Sequence, residues 1–129
     1  MAKGRYEITK NSLGEYSFTL FTLSGVPLAR SGKYKSLPPL KKGIASLRVN
    51  ADAPLEDLTD GFRDTSVIIK CPKIELIGED IGGMVSYNFV LKAKNGSIIA
   101  KGEGYGTKKR CLEAISNLRY IAFSAETDF

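Results

Sequence analysis

The chain has no histidine, only two cysteines in 129 residues, and no apolar run of bilayer length. Each shortage excludes something. Histidine is the commonest general base and the commonest metal ligand among side chains. Its absence argues against an enzyme and against a metal centre, so no catalytic residue, metal ligand or cofactor is expected. A membrane span needs about 18 or more consecutive apolar residues, and the chain has no such stretch. The opening MAKGRYEITK lacks the apolar core of a secretory signal. With so few cysteines, that points to free thiols and a cytoplasmic location.

What is present reads as one globular domain, 43% hydrophobic and 26% charged, without a low-complexity tract. A chain of this size buries roughly two-thirds of its unfolded surface, so it folds without a disulfide or a metal. The net charge of +5 is unevenly spread: residues 1–50 carry nine Lys/Arg against two acids, 51–70 carry two against five, and 71–129 carry eight against seven. A basic first half attracts anionic partners over long range, although mixed charge is also the ordinary condition of a soluble surface.

The chain is one unit written twice. A constant offset of 71 aligns residues 16–51 with 87–122, and ten of the thirty-six pairs are identical, among them Tyr16/Tyr87, Phe18/Phe89, Leu20/Leu91, Gly25/Gly96, Tyr34/Tyr105, Ile44/Ile115 and Arg48/Arg119. EYSFTL and SYNFVL alternate apolar with polar residues, as half-buried strands do. SG and NG are two-residue hairpin signals. VPLAR and SIIAK follow as third strands, with Pro27 favouring a strand start or edge. RYEITK and KIELIG are predicted as first strands, and the turn after the second is three residues longer. The period then changes to 3.6. Leu40, Ile44 and Leu47 fall on one helical face, and Cys111, Ile115 and Leu118 occupy the same stripe in the second copy. Ser36 and Thr107 stand where an N-cap hydroxyl accepts from a first-turn amide. Pro38 and Pro39 suit that turn, which has amides to spare. Arg48 and Arg119 fall near the helix ends, where cations suit the dipole.

The predicted organisation is therefore α+β, a single domain over 1–129 made of two tandem β3-α(-β) repeats. They would form one antiparallel sheet with two helices packed on one face, related by a pseudo-twofold axis. Repeat one runs 1–51, an acidic connector 52–64, an exchanged strand 65–70 (TSVIIK), and repeat two 71–129. One unit cannot close a core alone, so the two are expected to share one, as a monomer with internal pseudosymmetry.

The second copy's YNFVLKAKNGSIIAKGEGYGTKK and the first copy's GIASLRVN are similar to the YegP-like family, small bacterial domains of unknown function. That family's repeat runs aromatic-x-Phe-x-Leu, Asn-Gly, a strand, Tyr-x-Ser-Lys, then Gly-Ile-x-Ser-Val-Lys/Arg-x-Asn. Copy one carries the ending, from Gly43 and Ile44 through Ser46, Leu47 and Arg48 to Asn50. Copy two carries the middle, from Tyr87, Phe89 and Leu91 through Asn95–Gly96 to Tyr105, Thr107 and Lys108. It departs at Ala114, Asn117 and Ile121, and copy one departs at Leu37. The resemblance implies a β3-α-β pair sharing one sheet, with the last strands exchanged between halves. It implies no activity.

The stretch GEGYGTKKR, Gly102–Arg110, is the most site-like segment. It is neither a P-loop, because Thr107 and Lys108 stand in reverse order, nor a dinucleotide loop, because Thr107 occupies the third glycine position. Yet Lys108, Lys109 and Arg110 sit in a first helical turn, where the dipole disfavours cations. Local rules broken in this way mark candidate sites, and free amides beside cations suit a phosphate. The plain alternative is that the cations extend into water. The main rival is a second resemblance, to the latter part of a double-stranded-RNA-binding domain; against it, RYEITKNS reads as strand and turn where that domain begins with a helix, and the loop histidine is absent. The candidate anion or nucleic-acid contacts are Lys108, Lys109, Arg110, Lys41, Lys42, Lys33 and Lys35. Tyr34 and Tyr105 are candidate exposed aromatics, against the plainer reading of rings closing a core. Cys111 aligns with Leu40 as a packed thiol, and Cys71 has no base in view. The acids of LEDLTDGFRD lack calcium-loop spacing. Function is expected to be that of a non-enzymatic binding or interaction module, its partner another protein ahead of RNA or DNA.

Overall fold

Alternating strands, glycine turns and two apolar helical stripes assemble as the patterning requires. The computed structural model describes residues 4–59 and 69–127. In order they form β1 (Gly4–Lys10), β2 (Tyr16–Thr22), β3 (Pro27–Arg30), α1 (Leu37–Asn50), β4 (Leu55–Asp57), β5 (Lys73–Ile81), β6 (Met84–Lys92), β7 (Ile98–Tyr105) and α2 (Lys108–Ile121). The strands make one seven-stranded sheet, ordered β1-β2-β3-β7-β6-β5-β4.

The inward faces are the ones alternation assigns. Phe18 and Leu20 of β2 face Ile8 and Tyr6, while Phe89 and Leu91 of β6 face Leu76 and Ile74. Gly25 and Gly96 take positive φ (89° and 86°) in the second turn of each half, a conformation without penalty only for glycine. The β2–β3 register shifts between Leu20 and Phe21, and the β6–β7 register between Tyr87 and Phe89 and again between Leu91 and Lys92. The Leu20/Phe21 and Leu91/Lys92 bulges lie 71 residues apart. Leu40, Ile44 and Leu47 of α1 are buried, as are Cys111, Ile115 and Leu118 of α2, in one core with both hairpins. The helices pack on the face carrying Tyr6, Phe18, Leu20, Phe89 and Leu91.

The sheet is mixed, which corrects the antiparallel expectation. β4 runs parallel to β5, pairing Leu55, Glu56 and Asp57 with Ile74, Glu75 and Leu76. Past α2, Glu126 bridges Arg5 in parallel: Tyr6 N–H donates to the Glu126 carbonyl at 2.7 Å and Glu126 N–H to that of Gly4 at 3.1 Å. A tight hairpin enforces antiparallel pairing, but a chain arriving from a helix enters an edge in either direction. Each half thus extends the other's edge. The strand after α1 lies inside the segment read as connector. Of the exchanged strand expected over 65–70, residues 65–68 lie outside the described residues, and Ile69 and Lys70 are not in a strand.

Arg48 fastens the C-terminal segment to the first half. Its Nη2 donates to the Ala125 carbonyl at 2.8 Å, and its guanidinium lies 5.2 Å from the Tyr6 ring centre. The Tyr6 hydroxyl donates to the Ala122 carbonyl at 2.6 Å. Burial pushes this phenol up to about 12, against the opposing pull of Arg48.

Candidate binding surfaces

Two helix starts carry the predicted cations, and they are built differently. At α2 the Thr107 hydroxyl accepts from the Arg110 amide at 3.1 Å, the cap expected from sequence. Lys108, in the first position, reaches Asp57 of β4 with its Nζ 2.5 Å from Oδ2. Burial alone would raise that carboxyl. Lys108 and Thr59, whose amide donates to Oδ1 at 2.9 Å, outweigh it and hold the group below the ordinary carboxylate range. The odd cation in a first turn therefore has a local partner. Lys109 and Arg110 remain exposed, with no ion pair among the described residues.

At α1 the Ser36 hydroxyl makes no capping bond. A cap accepts from the second or third helical residue, and those are Pro38 and Pro39, which have no N–H. This start offers no amide cradle. It offers lysines. Lys33 and Lys35 flank Tyr34, whose backbone pairs with Tyr16 through two 2.7 Å bonds. Lys33 Nζ stands 4.0 Å from Glu15. The Lys10 ammonium sits 5.4 Å from the Tyr16 ring centre. Tyr34 leans over the helix so closely that a Cβ on Gly43 would stand 2.2 Å from its hydroxyl; Lys41 and Lys42, just before Gly43 in the same helix, are exposed. Lys35 and Lys42 are exposed and make no ion pair among the described residues.

The seven predicted cations do not lie together. Arg30 of β3 faces Lys101 of β7 in antiparallel pairing, so the strands deliver their helices to opposite ends of the sheet. Tyr16 lies three residues from Thr19, opposite Arg30, and Tyr87 three residues from Val90, opposite Lys101. At about 3.3 Å per residue the two tyrosine pairs are roughly 20 Å apart. Lys33, Lys35, Lys41 and Lys42 belong to one end, and Lys108, Lys109 and Arg110 to the other. Lys10 was missed in sequence: it ends a strand far from the other lysines in the chain, and only the β1–β2 pairing brings it to them.

Tyr34 and Tyr105 are half-buried rings stacked on Phe18 and Phe89, with centroids 6.4 and 6.3 Å apart and planes inclined by 16° and 22°. Burial raises both phenols, and nearby Cys111 adds to the rise at Tyr105. Cys111 itself is buried, its thiol pushed up to about 11, the packed thiol that alignment with Leu40 implies. Cys71 is partly exposed and also free. Among the described residues no group of three His, Cys, Asp or Glu side chains is placed to hold a metal, and no helix is long and apolar enough to cross a membrane.

The sheet face opposite the helices carries paired charges, Glu56 and Glu75 among them being buried. Lys73 Nζ bridges Glu56 at 3.1 Å and Glu75 at 3.2 Å, and Lys92 Nζ meets Glu75 at 2.7 Å. Between the halves lies a shallow recess of about 370 Å³ lined by Thr19, Phe21, Pro27, Arg30, Lys101 and Glu103 among others. Arg30 and Glu103 approach to 3.9 Å across it.

Comparison with known proteins agrees with this architecture. Residues 86–128 match the model of a domain of unknown function, DUF1508. The solution structure of yegP from E. coli, described as of unknown function, superposes with a TM-score of 0.70 at 22% identity, covering 98% of this chain and 92% of that one. That of the UPF0339 protein SO3888 from Shewanella oneidensis gives 0.72 at 20%, covering 97% and 89%. Both likenesses show the fold. In sequence the chain is 30% identical to the UPF0339 protein YegP of Yersinia pestis over 118 residues, 92% of this chain and 88% of that protein. On that match the chain belongs to the UPF0339 family of YegP-like proteins.

Proposed function

We propose that this chain is a non-enzymatic binding module of the bacterial cytoplasm, a monomer built from two tandem β3-α(-β) units about a pseudo-twofold axis, and that its contact surface is the lysine-bearing end of the first half. The duplicated reading is supported by recurrence at matched positions: the bulges, the Tyr16–Tyr34 and Tyr87–Tyr105 pairs, and the two ring stacks. The two free thiols suit a reducing compartment.

One observation carries the choice of surface. Where the first half has Lys33, Lys35, Lys41 and Lys42, the second has Gly104, Gly106, Leu112 and Glu113. Lys10 pairs with Tyr16 as Gly78 pairs with Tyr87, so a fifth lysine is matched by glycine. The second half folds the same way without these cations, so the fold does not require them. Lysines gathered at one end raise the local potential and draw in an anionic partner.

Retention on an immobilised polyanion such as heparin tests this surface. Lys33→Glu/Lys35→Glu/Lys42→Glu should elute at markedly lower salt than the parent, and Lys109→Glu/Arg110→Glu close to it. The reverse order would assign the contact to the second half.

A further inference from the structure

We infer that the partner of this lysine end is the phosphate backbone of a nucleic-acid duplex, gripped without reading its bases. The inference rests on the reading above that this end is the contact surface, and adds the chemistry of what it meets.

The cations themselves discriminate among anions. The cluster of Lys10, Lys33, Lys35 and Lys42 is all lysine. Carboxylates of a protein partner are matched best by the planar arginine fork, whereas lysine acts as a point charge on a flexible stem. Protein interfaces are correspondingly poor in lysine and rich in arginine, methionine and aromatics. Here the exposed cations of the cluster are lysines, and its two tyrosines are half-buried.

A single phosphate group is also a poor match. Small phosphate ligands are cradled by free amides at a helix N-terminus, and Pro38 and Pro39 remove two of those amides from α1. What remains is a spread of charge, which suits a lattice of phosphates repeating along a polymer. Single strands are held largely by stacking their bases on aromatic faces. Here Tyr34 is committed to Phe18 at 6.4 Å, and the Tyr16 ring has the Lys10 ammonium 5.4 Å from its centre. With both tyrosines of this end so engaged, the duplex is the form that fits, DNA and RNA duplexes presenting the same phosphodiester.

Fluorescence anisotropy decides this with the full chain. The probes are labelled 20-base-pair DNA and RNA duplexes of two unrelated sequences, the matching single strands, and polyglutamate, each at 50 and 200 mM salt. Duplex binding is expected to be indifferent to sequence, with log K falling against log salt at a slope of roughly −3 to −4, as about four phosphate contacts imply. Lys33→Glu/Lys35→Glu/Lys42→Glu should weaken it at least about tenfold at low salt with an unchanged urea midpoint. Lys109→Glu/Arg110→Glu should stay within about twofold of the parent. The DNA and RNA arms report which duplex is preferred. If polyglutamate binds and duplexes do not, the surface stands and the nucleic-acid inference falls. Tighter binding of single strands overturns the duplex assignment. No binding to any polyanion removes both readings.

Discussion

The two helices begin at equivalent points of the two halves, with Ser36 and Thr107 in the same extended geometry, yet only Thr107 caps. The residue is nearly the same and the surroundings differ: Arg110 supplies an amide where Pro39 has none. The same substitution of Leu37-Pro38-Pro39 by Lys108-Lys109-Arg110 moves charge from the flanks of the helix start into its first turn. There Asp57, delivered by the other half's edge strand, takes up Lys108. Matched backbone positions thus carry two different surfaces. The shared features, the Tyr–Phe stacks and paired bulges, are packing, and the features that diverged are exposed.

Several experiments would break or sharpen that contrast. The shared interior should respond equally. Phe18 and Phe89 are fully buried at matched positions, so Phe18→Ala and Phe89→Ala should each cost about 3–5 kcal/mol of unfolding free energy in urea. A gap of more than about 2 kcal/mol would show that the two half-cores are not equivalent. The helix starts should respond unequally. Thr107→Ala should cost about 1 kcal/mol, whereas Ser36→Ala should leave the urea midpoint almost unmoved.

A smaller loss than that of the Thr107 cap belongs to the Lys108–Asp57 pair, which is part-exposed and screened. Asp57→Asn is expected to cost about 0.5 kcal/mol at pH 7. The folded carboxyl lies below its unfolded value, so its stabilisation is complete above that value and disappears as pH falls through the folded one. The gap between parent and variant should accordingly close between roughly pH 5 and pH 2. A gap that persisted in acid would mean that Asp57 acts through shape and not through its charge.

Much of the fold was legible because its signals are local and repeated. Strand alternation, two turn glycines and two helical stripes each act over a few residues, and Ile44 and Ile115 are buried as those stripes require. The missed strand β4 is three residues long, Leu55–Asp57, with two acids and no room for alternation. Its parallel pairing arises at a distance from anything in its own sequence. The candidate site was legible only as a set of residue types. Seven cations were named from their neighbourhoods in the chain, and strand direction then divided them between two ends, added Lys10 to one and gave Lys108 a partner in the other.

The amino-acid pattern alone determined the element types and the buried faces, because apolar periodicity and turn chemistry act over a few residues. Tertiary structure decided which edges the halves exchange, which cations gather and which are neutralised. Those outcomes depend on strand order and direction, and place side chains from distant parts of the chain within reach of one another's charge.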